Sequence, residues 1–163
     1  NWSKYQKSTI VEKKYFAKII ATDNEGLQMI SACCAGAKVK IGGIKYLQQN
    51  KVFLMSLIRK QLENKTDNSE INSICKFDFV DKVKSKNINQ NNKELVLELI
   101  TIDLFKNNKN YEITLLFSNN GIISIVGFSQ LQILIKANNS KIFWVDWQLL
   151  IMYLFDPFSP LLF

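Results

Sequence analysis

Hydrophobic and polar positions change period once along this chain, and that change sets its organisation. Tyr15 to Ala21 is a short β-rich run that reads as a first strand. Leu27, Ile30 and Cys34 then recur at helical spacing, with Met29 and Cys33 widening the apolar face. Thr22 is placed to cap that helix, Glu25 three residues on completes a capping box, and Asp23 suits the positive helix end. Gly36 supplies a stop, so the pattern predicts a helix from about Asp23 to Ala35.

Beyond Gly36 the period is two. Val39 and Ile41 alternate with Lys38 and Lys40, and the pattern slips by one across Gly42-Gly43 before resuming at Ile44 and Tyr46. A β-bulge or tight bend makes such a slip. Gln48 to Lys51 reads as a turn, Val52 to Arg59 as the return strand of a hairpin, and Asn64 to Glu70 as a polar loop. Cys75, Phe77, Phe79 and Val83 alternate with Lys76, Asp78, Lys82 and Lys84, which predicts a half-buried strand. Leu95 to Phe105 is a long two-sided strand closed by a turn over Lys106 to Asn110. Tyr111, Ile113, Leu115 and Phe117 alternate with polar neighbours, and Asn120-Gly121 suits a type I′ hairpin leading into Ile122 to Phe128. Ser129 is placed to cap a last short helix over Leu131, Leu134 and Ile135.

The expected fold is therefore α+β: about seven mainly antiparallel strands in a meander, with an early helix and a C-terminal helix. Such strands must bury one face. A strongly bent meander closed by the terminal helix, in the manner of a pleckstrin-homology-like barrel, is the preferred arrangement. An open sheet with both helices on one face is the alternative. Residues 1–14 read as an N-terminal extension and 15–137 as one globular domain. Residues 138–163 form an apolar aromatic tail: Ile142 to Phe163 holds two of the three tryptophans, four phenylalanines, both prolines and no basic residue. An interfacial anchor, a partner-docking segment and a non-native ending all fit it, and the domain is expected to fold without it. Trp147 to Phe155 is too short to span a bilayer.

With 163 residues the chain is long enough for a real core. Its net charge of +7 changes the picture little, because 20 of the 21 basic residues are lysines scattered over strands and loops. Nucleic-acid readers lean on arginine for bidentate contacts, so a solvated surface is preferred to a nucleic-acid interface. Three cysteines, two of them adjacent, make a poor disulfide framework and fit a reducing cytoplasm. Residues Asn1 to Lys14 carry no apolar core of a signal peptide.

Candidate chemistry is sparse. The chain has no histidine, which removes the commonest general base and most zinc sites. No phosphate loop is present, since Gly42-Gly43 lacks the following Lys-Ser/Thr. Strand parity puts Asp78 and Asp81 on opposite faces, and Glu98 and Asp103 likewise. No catalytic residue, metal site or cofactor is implied. Arg59, the lone arginine, taken with Glu63 is the one polar feature with a claim to binding; a surface ion pair is the simpler account of it. The reading that follows is a non-catalytic binding or interaction module, with a protein partner as one candidate. A small enzyme using Lys, Asp or Glu in a barrel mouth is the rival.

Several of these residues also form a recognisable series. Asp23, Glu25, Leu27, Ile30, Ser31 and Ala32 are followed by the basic strand Lys38 to Leu47, by Arg59 and Glu63, by Phe77 and Val80, and by Leu115, Phe117, Gly121 and Ile123. Over Lys18 to Ala137 the chain resembles a bacterial family known as domain of unknown function 2948. The chain departs from that pattern at Ala35-Gly36, Lys60 and Leu62, where the family carries a Gln-Asp pair, an aromatic and a tryptophan. The resemblance implies an alphaproteobacterial, cytoplasmic protein and assigns it no activity.

Overall fold

The computed structural model describes residues 18–60 and 69–137. They form β1 (Lys18–Ala21), α1 (Asn24–Cys34), β2 (Lys38–Lys40), β3 (Ile44–Leu47), β4 (Val52–Lys60), β5 (Glu70–Lys86), β6 (Val96–Asn107), β7 (Asn110–Phe117) and β8 (Ile122–Ala137). The fold is mostly β, with one α-helix among the described residues and every strand pairing antiparallel. Along the sheet the order is β1-β8-β5-β4-β2-β6-β7, with β3 beside β4, and β7 pairs again with β8.

The change of period after Gly36 is real. Leu27, Ile30 and Cys34 are buried on α1, and Gly36 adopts φ +79°, a left-handed conformation that glycine reaches without steric cost. The cap is Asp23 rather than Thr22: its Oδ1 accepts from the Gly26 amide at 2.8 Å. Met29 is exposed, so the apolar stripe is narrower than its spacing predicts. Ser31 docks the helix on β6, its hydroxyl oxygen accepting from the Ile102 amide at 3.0 Å. The slip at Gly42-Gly43 is a 3-10 turn over Ile41–Gly43, which leaves Ile41, Ile44 and Tyr46 all buried.

Three expectations are corrected. Residues 129–137 belong to β8 and form no C-terminal helix. Leu131, Leu134 and Ile135 fit helical spacing, but Ile133 and Ile135 also alternate, and β5 and β1 on the two sides of β8 decide for strand. Second, β5 begins at Glu70, not near Cys75. Polar Ser73 hides its start, because it takes a core-facing position and is held there by Arg59. Third, the turn before β8 places Asn119 (φ 59°) and Asn120 (φ 60°) at its left-handed positions, while Gly121 stays at φ −69°. Asparagine tolerates that region, so the turn does not need its glycine.

The core takes the alternate positions of every strand: Phe53, Met55 and Leu57 of β4, Cys75 and Phe77 of β5, Ile113, Leu115 and Phe117 of β7, and Ile123, Ile125, Ile133 and Ile135 of β8. Phe53 and Phe77 meet edge to face, ring centroids 5.6 Å apart. Leu54 and Ile74 form a second, small buried cluster on the other face of β4 and β5. Exposed Lys82, Lys84 and Lys86 lie where β5 pairs with β8 alone among the described residues. Alternating lysines on a free strand edge oppose edge-to-edge association, which accounts for them without a nucleic acid.

Candidate functional site

Two irregularities in long strands build the site. β5 is bulged on both sides of Val80, and Phe79 stands at φ +59°, in the left-handed region, with 42 % of its surface exposed. A bulky residue there costs about 1–2 kcal/mol, so the surroundings must hold it. They do so with four hydrogen bonds. The Tyr46 hydroxyl donates to the Val80 carbonyl at 3.3 Å, and the Val80 amide donates to the Lys51 carbonyl at 2.8 Å. The Tyr111 hydroxyl shares its one proton between the carbonyls of Asp78 and Phe79, at 3.2 and 3.3 Å. Tyr111 reaches them by lying across Gly127 of β8, where a side chain would occupy the same space as its ring.

The second irregularity lies in β8. Its pairing with β7 ends at Phe128, its pairing with β5 resumes at Gln132, and its pairing with β1 begins at Ile133. Ser129, Gln130 and Leu131 therefore have no partner strand on either side among the described residues. A cleft of about 440 Å³ opens at this break. Thr22, Asp23 and Asn24 line it where β1 passes into α1; Leu104, Lys106, Lys109 and Asn110 line it from the β6–β7 hairpin; Tyr111, Gln130 and Leu131 complete it.

Tyr111 joins the two features. Burial pushes its pKa up to about 12, and the Asp81 and Asp78 carboxylates push the same way. The group thus remains a neutral hydrogen-bond donor. A tyrosine raised above its unfolded value near 10 stabilises the fold fully below pH 10 and loses that contribution as the pH rises through 12. The loss is about 2–3 kcal/mol, at 1.36 kcal/mol per pKa unit. Urea unfolding of the wild type and of Tyr111→Phe at pH 9 and pH 12 measures it. The wild type's stability relative to the variant should fall by roughly that amount at the higher pH; an unchanged difference would show that Tyr111 is not desolvated.

Both bulges also correct the parity argument. Two register shifts fall between Asp78 and Lys82, so residue spacing no longer sets opposite faces there, and the shift between Leu99 and Thr101 leaves Glu98 and Asp103 both exposed. They still form no acid/base pair: Asp81 binds Lys51 at 3.0 Å and Asp78 binds Lys76 at 3.4 Å. Among the described residues no three His, Cys, Asp or Glu side chains are grouped to hold a metal ion.

Arg59 is not part of the cleft and is not on the surface. It is 3 % exposed, follows Phe53, Met55 and Leu57 on the core-facing side of β4, and donates from Nε to the Ser73 hydroxyl at 3.1 Å. The surface position expected of Arg59 is thereby corrected; its expected partner Glu63, like the tail 138–163 and the extension 1–14, lies outside the described residues. Phe79, expected to face the core, is turned outward by the bulge. The cleft residues carry no local signal that joins them, because they come from three segments that only the sheet brings together.

The model of one family, described as a protein of unknown function (DUF2948), matches residues 17–132. No curated protein and no solved structure matches. The chain belongs to the DUF2948 family.

Proposed function

We propose that this member of the DUF2948 family is a non-catalytic binding module that seats its ligand in the cleft at the break in β8. The observation that carries the reading is the lining. It combines hydroxyl and amide side chains, two lysines and two leucines, and two of its members, Gln130 and Leu131, lie where β8 has no partner strand among the described residues. Small-molecule sites mix apolar walls with a few polar groups in volumes of about 300–1,000 Å³. A small enzyme would need two or more carboxylates with a lysine here, whereas Asp23 is the one carboxylate of the lining and is engaged by the Gly26 amide.

The scaffold we infer is a bent sheet closed into a barrel of the pleckstrin-homology kind, supported by the return of pairing from β7 to β8. A bacterial cytoplasm is the setting we infer, supported by a count of three cysteines, two of them adjacent, which makes a poor disulfide framework. No helix among the described residues is long and apolar enough to cross a membrane.

The test is to expose the purified protein to a small-molecule extract of its host and identify retained compounds by mass spectrometry. Gln130→Trp, an exposed position of the lining, fills the cleft without touching the core. The wild type should retain a compound that the variant releases. Equal retention by both proteins, or none by either, would overturn the cleft as the site; conversion of the retained compound would establish the enzyme instead.

A further inference from the structure

We infer that the cleft takes a small organic anion, a carboxylate or phosphate monoester carried on a compact apolar body. The inference rests on the binding-module reading and names the ligand class for the same site. Its basis is the charge of the lining. Lys106, one residue before the end of β6, is the register partner of Tyr111, and Lys109 stands in the two-residue turn between Asn107 and Asn110, so one hairpin brings both lysines to the lining. Lys38, Lys40, Lys51 and Lys76 each face a carboxylate within 4 Å, whereas Lys106 and Lys109 make no ion pair among the described residues. The opposing carboxylate, Asp23, has its Oδ1 on the Gly26 amide at 2.8 Å and serves the helix. The balance of available charge in the cleft is therefore positive, and the protein's net charge of +7 steers an anion toward it.

Leu104, Leu131 and Tyr111 supply apolar surface for a ligand body. Ser129 to Leu131, which pair with no strand among the described residues, place backbone polar groups at the opening. An added peptide strand fits less well. The opening is bounded by Phe128, paired to Asn110, and by Ile133, paired to Ala21. A strand laid there would run about 13 Å, at roughly 3.3 Å per residue, before meeting β7 or β1. A small molecule with one anionic group uses the same backbone without that limit.

The experiment is isothermal titration of the full chain, at low salt, with phenyl phosphate, benzoate, benzyl alcohol and benzylamine. One or both anions should saturate and weaken with added salt, and their order tells phosphate from carboxylate. Lys106→Gln combined with Lys109→Gln should weaken that binding by about tenfold or more, as expected for lost charge-assisted contacts. Lys82→Gln combined with Lys84→Gln, on the free edge of β5, should leave it unchanged. If benzyl alcohol or benzylamine binds as tightly as the anions, or the Lys106/Lys109 variant binds like the wild type, the anion assignment is overturned while the cleft stands. If none of the four saturates, the assignment is also overturned, and the extract experiment with Gln130→Trp separately decides whether the cleft binds anything.

Discussion

Gly127→Ala should be among the most damaging single-methyl changes in this protein. A Cβ at that position would coincide with Cζ and Oη of Tyr111 and lie 2.6 Å from the Phe79 carbonyl oxygen. Neither neighbour can yield cheaply. Tyr111 is 4 % exposed inside the core, and the carbonyl belongs to a backbone already bent through a left-handed residue. Moving the ring would break its hydrogen bonds to Asp78 and Phe79 and release the bulge they hold. Overpacking costs about 1–3 kcal/mol, and abandoning a buried hydroxyl and its acceptors adds about 1–3 kcal/mol more. We expect a loss of about 3–5 kcal/mol, read as a fall in melting temperature of roughly 10 °C at 2–4 °C per kcal/mol. A milder effect of Gly127→Ala than of Tyr111→Phe would mean that the ring does not lie across the glycine. The same variant should distort the cleft, since Tyr111 belongs to its lining; structural strain and binding are coupled at this one residue.

Arg59→Ala should destabilise by about 3 kcal/mol, the scale on which removing one partner of a buried charged contact operates. The guanidinium is buried against Ser73 at the end of the core-facing row of β4. Its removal leaves a void and deprives a buried hydroxyl of its donor. Arg59→Lys should recover little, because a lysine has no Nε–H fork at that reach. Urea unfolding followed by circular dichroism separates this from a role in binding. Loss of stability with the cleft's ligand affinity intact supports a structural arginine. Unchanged stability, within about 0.5 kcal/mol as for an ordinary surface substitution, would return Arg59 to the list of binding residues.

These two variants also mark the boundary of what local pattern can convey. Alternation in Tyr111, Ile113, Leu115 and Phe117 predicts a strand with one buried face, and all four are buried as it requires. The helical spacing of Leu27, Ile30 and Cys34, with a glycine stop, is just as legible, although the cap falls on Asp23 and not on Thr22. In both cases the same residues that define the period also make the contact, so the information is local. A bulge carries no such signature. It adds one residue to one strand, and its cause is the partner strand's shape. Phe79 therefore reads as a core residue although Tyr111, 32 positions away, bends it outward. Arg59 reads as a surface residue for a related reason, since its charge dominates its pattern until Ser73 is known to face it.

The element order, the period change after Gly36, the hairpins and most of the core were thus determined by the sequence itself, because burying one face of a strand or helix imposes a period on neighbouring positions. Tertiary structure alone decided the rest. The segment from Ser129 to Ala137 is compatible with either helix or strand by spacing, and the pairing of β8 with β5 and β1 selected strand. The cleft exists because along β8 the pairing with β7 stops at Phe128 and that with β1 starts only at Ile133, joining residues from positions 22 to 131. Such a gap is a difference between two long-range registers. No window of sequence contains it, and the free energy that fixes it is the packing of the whole sheet.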